Sequence, residues 1–299
     1  MTYPIRCEDL SKKFRRVQAL DHLNLDIPEG SIYALIGANG AGKTTAIKTM
    51  VNIHQPDGGR IEVAGKDSRH LRGRDFEQIG YVSENQKMPE WMTVDYLLHY
   101  LKPFYPTWDD DAATALVRKF GLPRDRKLSQ LSRGMKIKAA LASSLAYHPR
   151  LVILDEPFSG LDPLVRDEFI EGLIESAEGT TMLISSHDLA EIESFASHAG
   201  YLERGRMRFS EDMASLSARF REIEVTLGEP SVLPRNWPVE WLQPQTSPAV
   251  VRFIDSSFNE NTIGDRVRGL FPRMTELSAR AMPLREIFVA LAREERRAA

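Results

Sequence analysis

The run Gly37-Ala38-Asn39-Gly40-Ala41-Gly42-Lys43-Thr44 fits the spacing GxxxxGK[ST] at every fixed position, and it limits what the chain can become more than any other feature. A loop of this composition turns backbone N–H groups inward around a polyphosphate. Its lysine reaches the β and γ oxygens, and its Thr hydroxyl can ligate the accompanying Mg²⁺. The loop has meaning only between a strand and a helix, and both are legible. Residues 31–36 (Ser-Ile-Tyr-Ala-Leu-Ile) predict a short buried strand, and residues 45–51 (Thr-Ala-Ile-Lys-Thr-Met-Val) predict the helix whose N-terminal dipole favours the anion. Gly37, Ala38, Asn39, Gly40, Ala41, Gly42, Lys43, Thr44 and Thr45 are therefore the expected nucleotide-binding residues.

The rest of the chain supplies a frame for such a loop. The apolar runs 151–154 and 181–184 read as buried parallel strands, with a helical stretch at about 166–177 between them. Strand, helix, strand in that order argues for α/β architecture, a parallel sheet covered by helices. The region from about 85 to 148 is mainly helical, carrying Leu97, Leu98 and Leu101 in one segment and an alanine-rich run in another, with Pro103, Pro106 and Pro123 breaking it into pieces. From about 216 a smaller α/β appendage begins. Residues 222–227 alternate like a strand, 250–254 can pair with them, and Leu284, Ile287, Phe288 and Leu291 give a closing helix one apolar face. The expected domains are 1–215, containing the helical subdomain, and 216–299. A net charge of −3 over 299 residues provides no basic field for nucleic acid. Cys7 is the only cysteine, no apolar run approaches a bilayer span, and the first residues lack the order of a signal peptide, so a membrane role is expected to come through a partner.

A second chemical site is expected where the strand 151–154 ends in Asp155-Glu156. A carboxylate at the C-terminal edge of a strand parallel to the phosphate-loop strand is where Mg²⁺ coordination is needed, directly or through water, and this is assigned to Asp155. Glu156 would then face the γ-phosphate and polarise the attacking water as general base.

These residues together resemble one family, the ATP-binding subunits of ABC transporters. The family's LSGGQ signature is matched by Leu131-Ser132-Arg133-Gly134-Met135, residues 151–163 resemble Walker B joined to the D-loop, and His187 in Ile184-Ser185-Ser186-His187-Asp188 stands where the family has its switch histidine. Phe14 matches the aromatic that stacks on adenine, although a ring beside Lys12, Lys13, Arg15 and Arg16 could instead pack into the neighbouring sheet. The resemblance covers residues 1 to about 215 and implies a P-loop NTPase of the ABC type, with ATP and Mg²⁺ as its ligands. It further implies a head-to-tail pair with a second ATPase subunit, identical or related, in which Ser132, Arg133 and Gly134 close over the partner's ATP and Asp162 reaches across the interface. His187 would hold Glu156 and the water. An integral membrane permease would bind the helical subdomain, leaving this subunit peripheral on the cytoplasmic face of the membrane, with no nucleic acid as partner. Trp91 and Trp108 could line the groove for that permease or pack the helical lobe.

Three positions depart from the family pattern: Glu84 in the Q-loop, and Arg133 and Met135 in the signature, where Met135 replaces the glutamine. The Q-loop glutamine is replaced by Glu84, with Gln86 two residues later; either could do the Q-loop's work, and Glu84 as a carboxylate is a further candidate Mg²⁺ ligand. In the signature, Arg133 replaces a glycine, either to bring charge near the opposite γ-phosphate or to lie in solvent. The ending Met282-Pro283-Leu284-Arg285-Glu286-Ile287-Phe288 resembles the tail of ABC-2 type exporter ATPases. The expected function is thus an ATPase that powers export through a separate permease. The alternatives are a soluble ABC-type ATPase acting on DNA or ribosomes, and an importer subunit.

Overall fold

The structure, a computed structural model, describes residues 2–84, 86–175, 179–229, 234 and 236–298, with side chains described to 294. In chain order the first unit contains β1 (Ile5–Phe14), β2 (Val17–Ile27), β3 (Ile32–Ile36), α1 (Lys43–Met50), β4 (Gly58–Val63), β5 (Lys66–Asp67) and β6 (Ile79–Ser83). The helices α2 (Val94–Leu101), α3 (Asp110–Lys119) and α4 (Arg133–Leu145) follow, then β7 (Leu151–Asp155), α5 (Pro163–Glu175), β8 (Thr181–Ser186), β9 (His198–Glu203) and β10 (Arg206–Asp212). Two compact units divide at Ser210/Glu211.

The sheet that matters for chemistry runs β10-β9-β3-β8-β7-β6, and the pairings of β3 with β8 and β9, and of β7 with β6 and β8, are all parallel. Every residue of β7 and β8 is buried. Strands covered on both faces carry continuous apolar runs, so 151–154 and 181–184 were readable without an alternating pattern. The register aligns Ile36 with Ser186 and Asp155 with Ser185, which brings the C-terminal ends of β3, β7 and β8 to one edge. Ligands bind at that edge in open α/β sheets. A separate antiparallel sheet, β2-β1-β4-β5, packs Ile5, Leu10, Leu23, Ile27 and Val63 into a core with Ile47 and Met50 of α1.

Local signals explain the helix starts. Thr93 caps α2 by accepting from the Tyr96 N–H, Asp109 caps α3 through the N–H groups of Asp111 and Ala112, and Ser132 caps α4 through the Met135 N–H at 3.2 Å. The signature helix α4 ends at Leu145. The last residues of the expected stretch 166–177 lie outside the described residues.

The second unit, Glu211–Ala299, holds α6 (Met213–Arg219), β11 (Arg221–Leu227), β12 (Trp241–Thr246), β13 (Val250–Asp255), α7 (Ile263–Leu270), β14 (Met274–Ala281) and α8 (Leu284–Ala298). Its sheet order is β12-β13-β11-β14, and β11 pairs antiparallel with both β13 and β14. Ile223, Val225 and Leu227 alternate into a core where the Trp241 and Phe253 rings stack at 4.2 Å. On α8, Ile287, Phe288 and Ala290 are buried.

Candidate active site

The phosphate loop leaves β3 at Ile36 and enters α1 at Lys43. Gly42 caps the helix at φ 111°, and a Cβ there would lie 2.5 Å from the Ala19 carbonyl oxygen, so both backbone and space demand glycine. Lys43 is only 5% exposed; its Nζ donates to the Gly37 carbonyl at 2.6 Å and pairs with Glu156 at 2.9 Å. The loop thus curls around its own lysine, with the ammonium at the place where phosphate oxygens are expected.

Facing the loop is the end of β7. Asp155 is buried and accepts from the hydroxyls of Thr44 (3.0 Å) and Ser185 (2.9 Å), both on Oδ1. Burial pushes its carboxyl above the usual range, against those two hydrogen bonds. The donor set is hard oxygen, and the carboxylate's bonds come from hydroxyls rather than from a cation. Mg²⁺ typically takes one or two protein carboxylates and draws its remaining ligands from phosphate and water, so Thr44 and Asp155 fit it. Among the described residues no three His, Cys, Asp or Glu side chains gather as a cage that would serve a metal unaided.

Glu156 adopts φ 51°, a left-handed conformation rare for a residue with a side chain, and its N–H is held by Ser185 Oγ at 2.9 Å. This turn points the carboxylate between Lys43 and His187, whose Nδ1 lies 2.8 Å from Oε2. The hydrogen bond to Glu156 raises the His187 pKa above 6.5. Ser185 therefore holds the Asp155 carboxylate and the backbone turn that aims Glu156. No local pattern marks Ser185 for this, since its place beside Asp155 comes from the parallel register of β7 and β8.

Glu84 stands beside Asp155 at this edge. Its N–H donates to the Asp155 carbonyl at 3.0 Å, yet its carboxylate turns toward Ser159, whose hydroxyl donates at 2.8 Å, and forms an ion pair with Arg133. Burial raises its pKa, but the Ser159 and Arg133 bonds outweigh that and hold it below the ordinary carboxylate value. Arg133 accordingly does not lie free in solvent. Gln86 folds back on the loop, its side-chain oxygen 3.4 Å from the Ser83 N–H. Asp162 is exposed and caps its own helix, accepting from the Val165 N–H at 3.0 Å. Gly134 meets Val165 so closely that a Cβ would lie 2.7 Å from its methyl, which accounts for a small residue there. Phe14 is 40% exposed at the β1–β2 turn, with its ring edge-on to His54 at 5.2 Å and the Lys12 ammonium 5.3 Å from its centroid. Of the surface aromatics, Trp91 (63% exposed), Tyr96, Tyr100 and Phe104 face outward, whereas Trp108 is half-buried and donates its indole N–H to Asp110.

A phosphate loop feeding α1, a strand-end Asp-Glu pair and a histidine directly after the neighbouring strand define a P-loop ATPase. The ABC transporter family pattern matches residues 20–159. The bacitracin transport ATP-binding protein BcrA of Enterococcus faecalis is 31% identical over 226 residues, which are 74% of this chain and 73% of that one. The lantibiotic transport ATP-binding protein SrtF of Streptococcus pyogenes is 34% identical, over 68% of this chain and 88% of that one. A solved structure of the ATP-binding subunit of an ABC transporter superimposes with a TM-score of 0.67 at 28% identity, over 73% of this chain and 92% of that one. The chain belongs to the ABC transporter family, as an ATP-binding and ATP-hydrolysing subunit. Subunits of this kind work with membrane permeases, and no helix among the described residues is long and apolar enough to cross a membrane.

Proposed function

We propose that this subunit powers export through a separate permease, lying peripherally on the cytoplasmic face of the membrane and acting in a pair with a second ATPase subunit. The observation that carries the catalytic part is the Glu156 carboxylate, bracketed by Lys43 and His187 beside the Thr44–Asp155 pair. Arriving phosphates give the Lys43 ammonium a stronger partner than Glu156. Glu156 Oε1 is then released to accept a proton from the attacking water, while His187 keeps hold of Oε2 and fixes the carboxylate's angle. Thr44 and Asp155 would hold Mg²⁺, which when bound offsets the charge of the β and γ phosphates. Gly37 to Thr45 cradle the phosphates and Phe14 stacks on the base. Ser132 and Gly134 at the α4 N-terminus serve the ATP of the other subunit, and Asp162 lies at that interface.

The relatives named for bacitracin and lantibiotic transport, together with the tail at 282–288, support export of a peptide-like or drug-like cargo. The outward aromatics Trp91, Tyr96, Tyr100 and Phe104 on and around α2 suit an apolar helix of the permease. The test is recovery of tagged Glu156→Gln protein from detergent-solubilised native membranes with ATP present, followed by mass spectrometry. A multi-span membrane protein is the expected companion; ribosomal or DNA-associated proteins alone would sink the transport reading and leave the ATPase chemistry standing.

A further inference from the structure

Two of the departures from the family pattern, Glu84 and Arg133, lie 49 residues apart in sequence and meet in space. Their pair joins three segments at once. Glu84 stands directly after β6, Arg133 is the first residue of α4, and Ser159, which donates to the same Oε1, lies in the turn after β7. The guanidinium also lies over Gly160, where a Cβ would come within 3.2 Å of it, so glycine there leaves it room. Arg133 is about half exposed and Glu84 less so, which makes this a rim contact that a competing anion can reach.

We propose that the ion pair of Arg133 with Glu84 latches the α4 N-terminus to the β6 edge, with Glu84 as a positioning residue that acts through Arg133, and that this latch opens when ATP draws a second copy of the chain against α4. The idea rests on the paired-subunit reading above. The guanidinium meets Glu84 through Nη2 alone, and a triphosphate carries more charge than a carboxylate, so a phosphate that takes the Nη1/Nη2 fork end-on competes for the same Nη2. The first turn of α4 also presents N–H groups with no intrahelical acceptors, so an incoming phosphate there gains from the helix and from Arg133 together. A phosphate that takes Nη2 displaces Glu84, and Glu84 then acts as a brake on closure that works through Arg133.

A double-mutant cycle in the Glu156→Gln background tests this, with ATP-driven dimerisation followed by sedimentation velocity. Glu84→Gln should lower the ATP concentration at half-dimerisation by about two- to five-fold, the size expected for an exposed ion pair. Arg133→Gly should raise it, Arg133→Lys should fall between, and Glu84→Gln added to Arg133→Gly should change nothing. ATP affinity of the dilute monomer and its melting temperature should barely move in any of them, which separates a latch from a merely structural contact. If Glu84→Gln raises the midpoint, or shifts it equally with and without Arg133, Glu84 acts directly on the nucleotide and the latch is wrong. If the Glu156→Gln parent fails to dimerise at saturating ATP, the paired-subunit reading falls and the latch with it.

Discussion

Asp155 and Glu84 are carboxylates at the ends of neighbouring strands, with Ser83 in register with Asp155 and Glu84 one residue beyond, yet they are held in opposite ways. Asp155 is buried, receives only hydroxyl donors, and burial pushes its carboxyl up. Glu84 is partly open to water, is paired with a guanidinium, and is held low in spite of the burial it has. The difference teaches which of two acidic groups is free to take a cation. A desolvated carboxylate without a positive partner gains most from an arriving metal, whereas one already paired must first lose its partner.

The largest effect should fall beside Asp155. Glu156→Gln keeps the shape of the turn but removes the proton acceptor, and ATP turnover should fall by about 10²- to 10⁴-fold with ATP binding retained. Measured turnover near the wild-type rate would remove Glu156 from the role of base.

The comparison itself is broken or sharpened by Asp155→Asn against Glu84→Gln. Asparagine keeps an oxygen for the Thr44 and Ser185 hydroxyls but loses the charge, so Mg²⁺-dependent hydrolysis should drop by about 10²-fold or more. Glu84→Gln should stay within about five-fold of wild type. Without nucleotide the signs reverse for stability. Folding raises the Asp155 pKa, so its ionised form opposes the fold at neutral pH, and Asp155→Asn should melt no lower than wild type. Equal losses of hydrolysis in both variants would mean that the two carboxylates share the metal.

The contrast also marks what the sequence could tell. The phosphate loop was legible because its pattern is a list of local backbone demands, and Gly42 at φ 111° is one of them. β7 and β8 were legible as continuous apolar runs. Ser185 was not, because its value depends on the register that sets it opposite Asp155. The Glu84–Arg133 contact was invisible for the same reason: taken alone, Glu84 reads as a Q-loop or Mg²⁺ candidate and Arg133 as a charge for the opposite γ-phosphate or for solvent. β9 and β10 went unassigned because Gly200, Arg206 and Arg208 interrupt any apolar run there. In the second unit, β11 and β13 were readable by alternation, but β14 is largely exposed and carries no such signal.

The smallest effect concerns His187, a cation at this edge whose charge changes near neutral pH. Its folded pKa lies above 6.5 because Glu156 accepts from its ring. The pair's contribution is therefore complete below the unfolded value and is lost as pH rises through the raised folded one. The ring is 41% exposed, so water screens the pair and the contribution is small. Melting of nucleotide-free wild type and His187→Ala should differ by under about 2 °C at pH 6, with the difference closing by about pH 9. The same comparison for Glu84→Gln should be flat across that window, since Arg133 keeps its charge throughout. A His187 difference that persists at alkaline pH would mean that the ring packs rather than pairs. Glu156 would then be held by Lys43 and the Ser185 hydroxyl alone, and its angle toward the phosphates would be set from one side of the sheet edge.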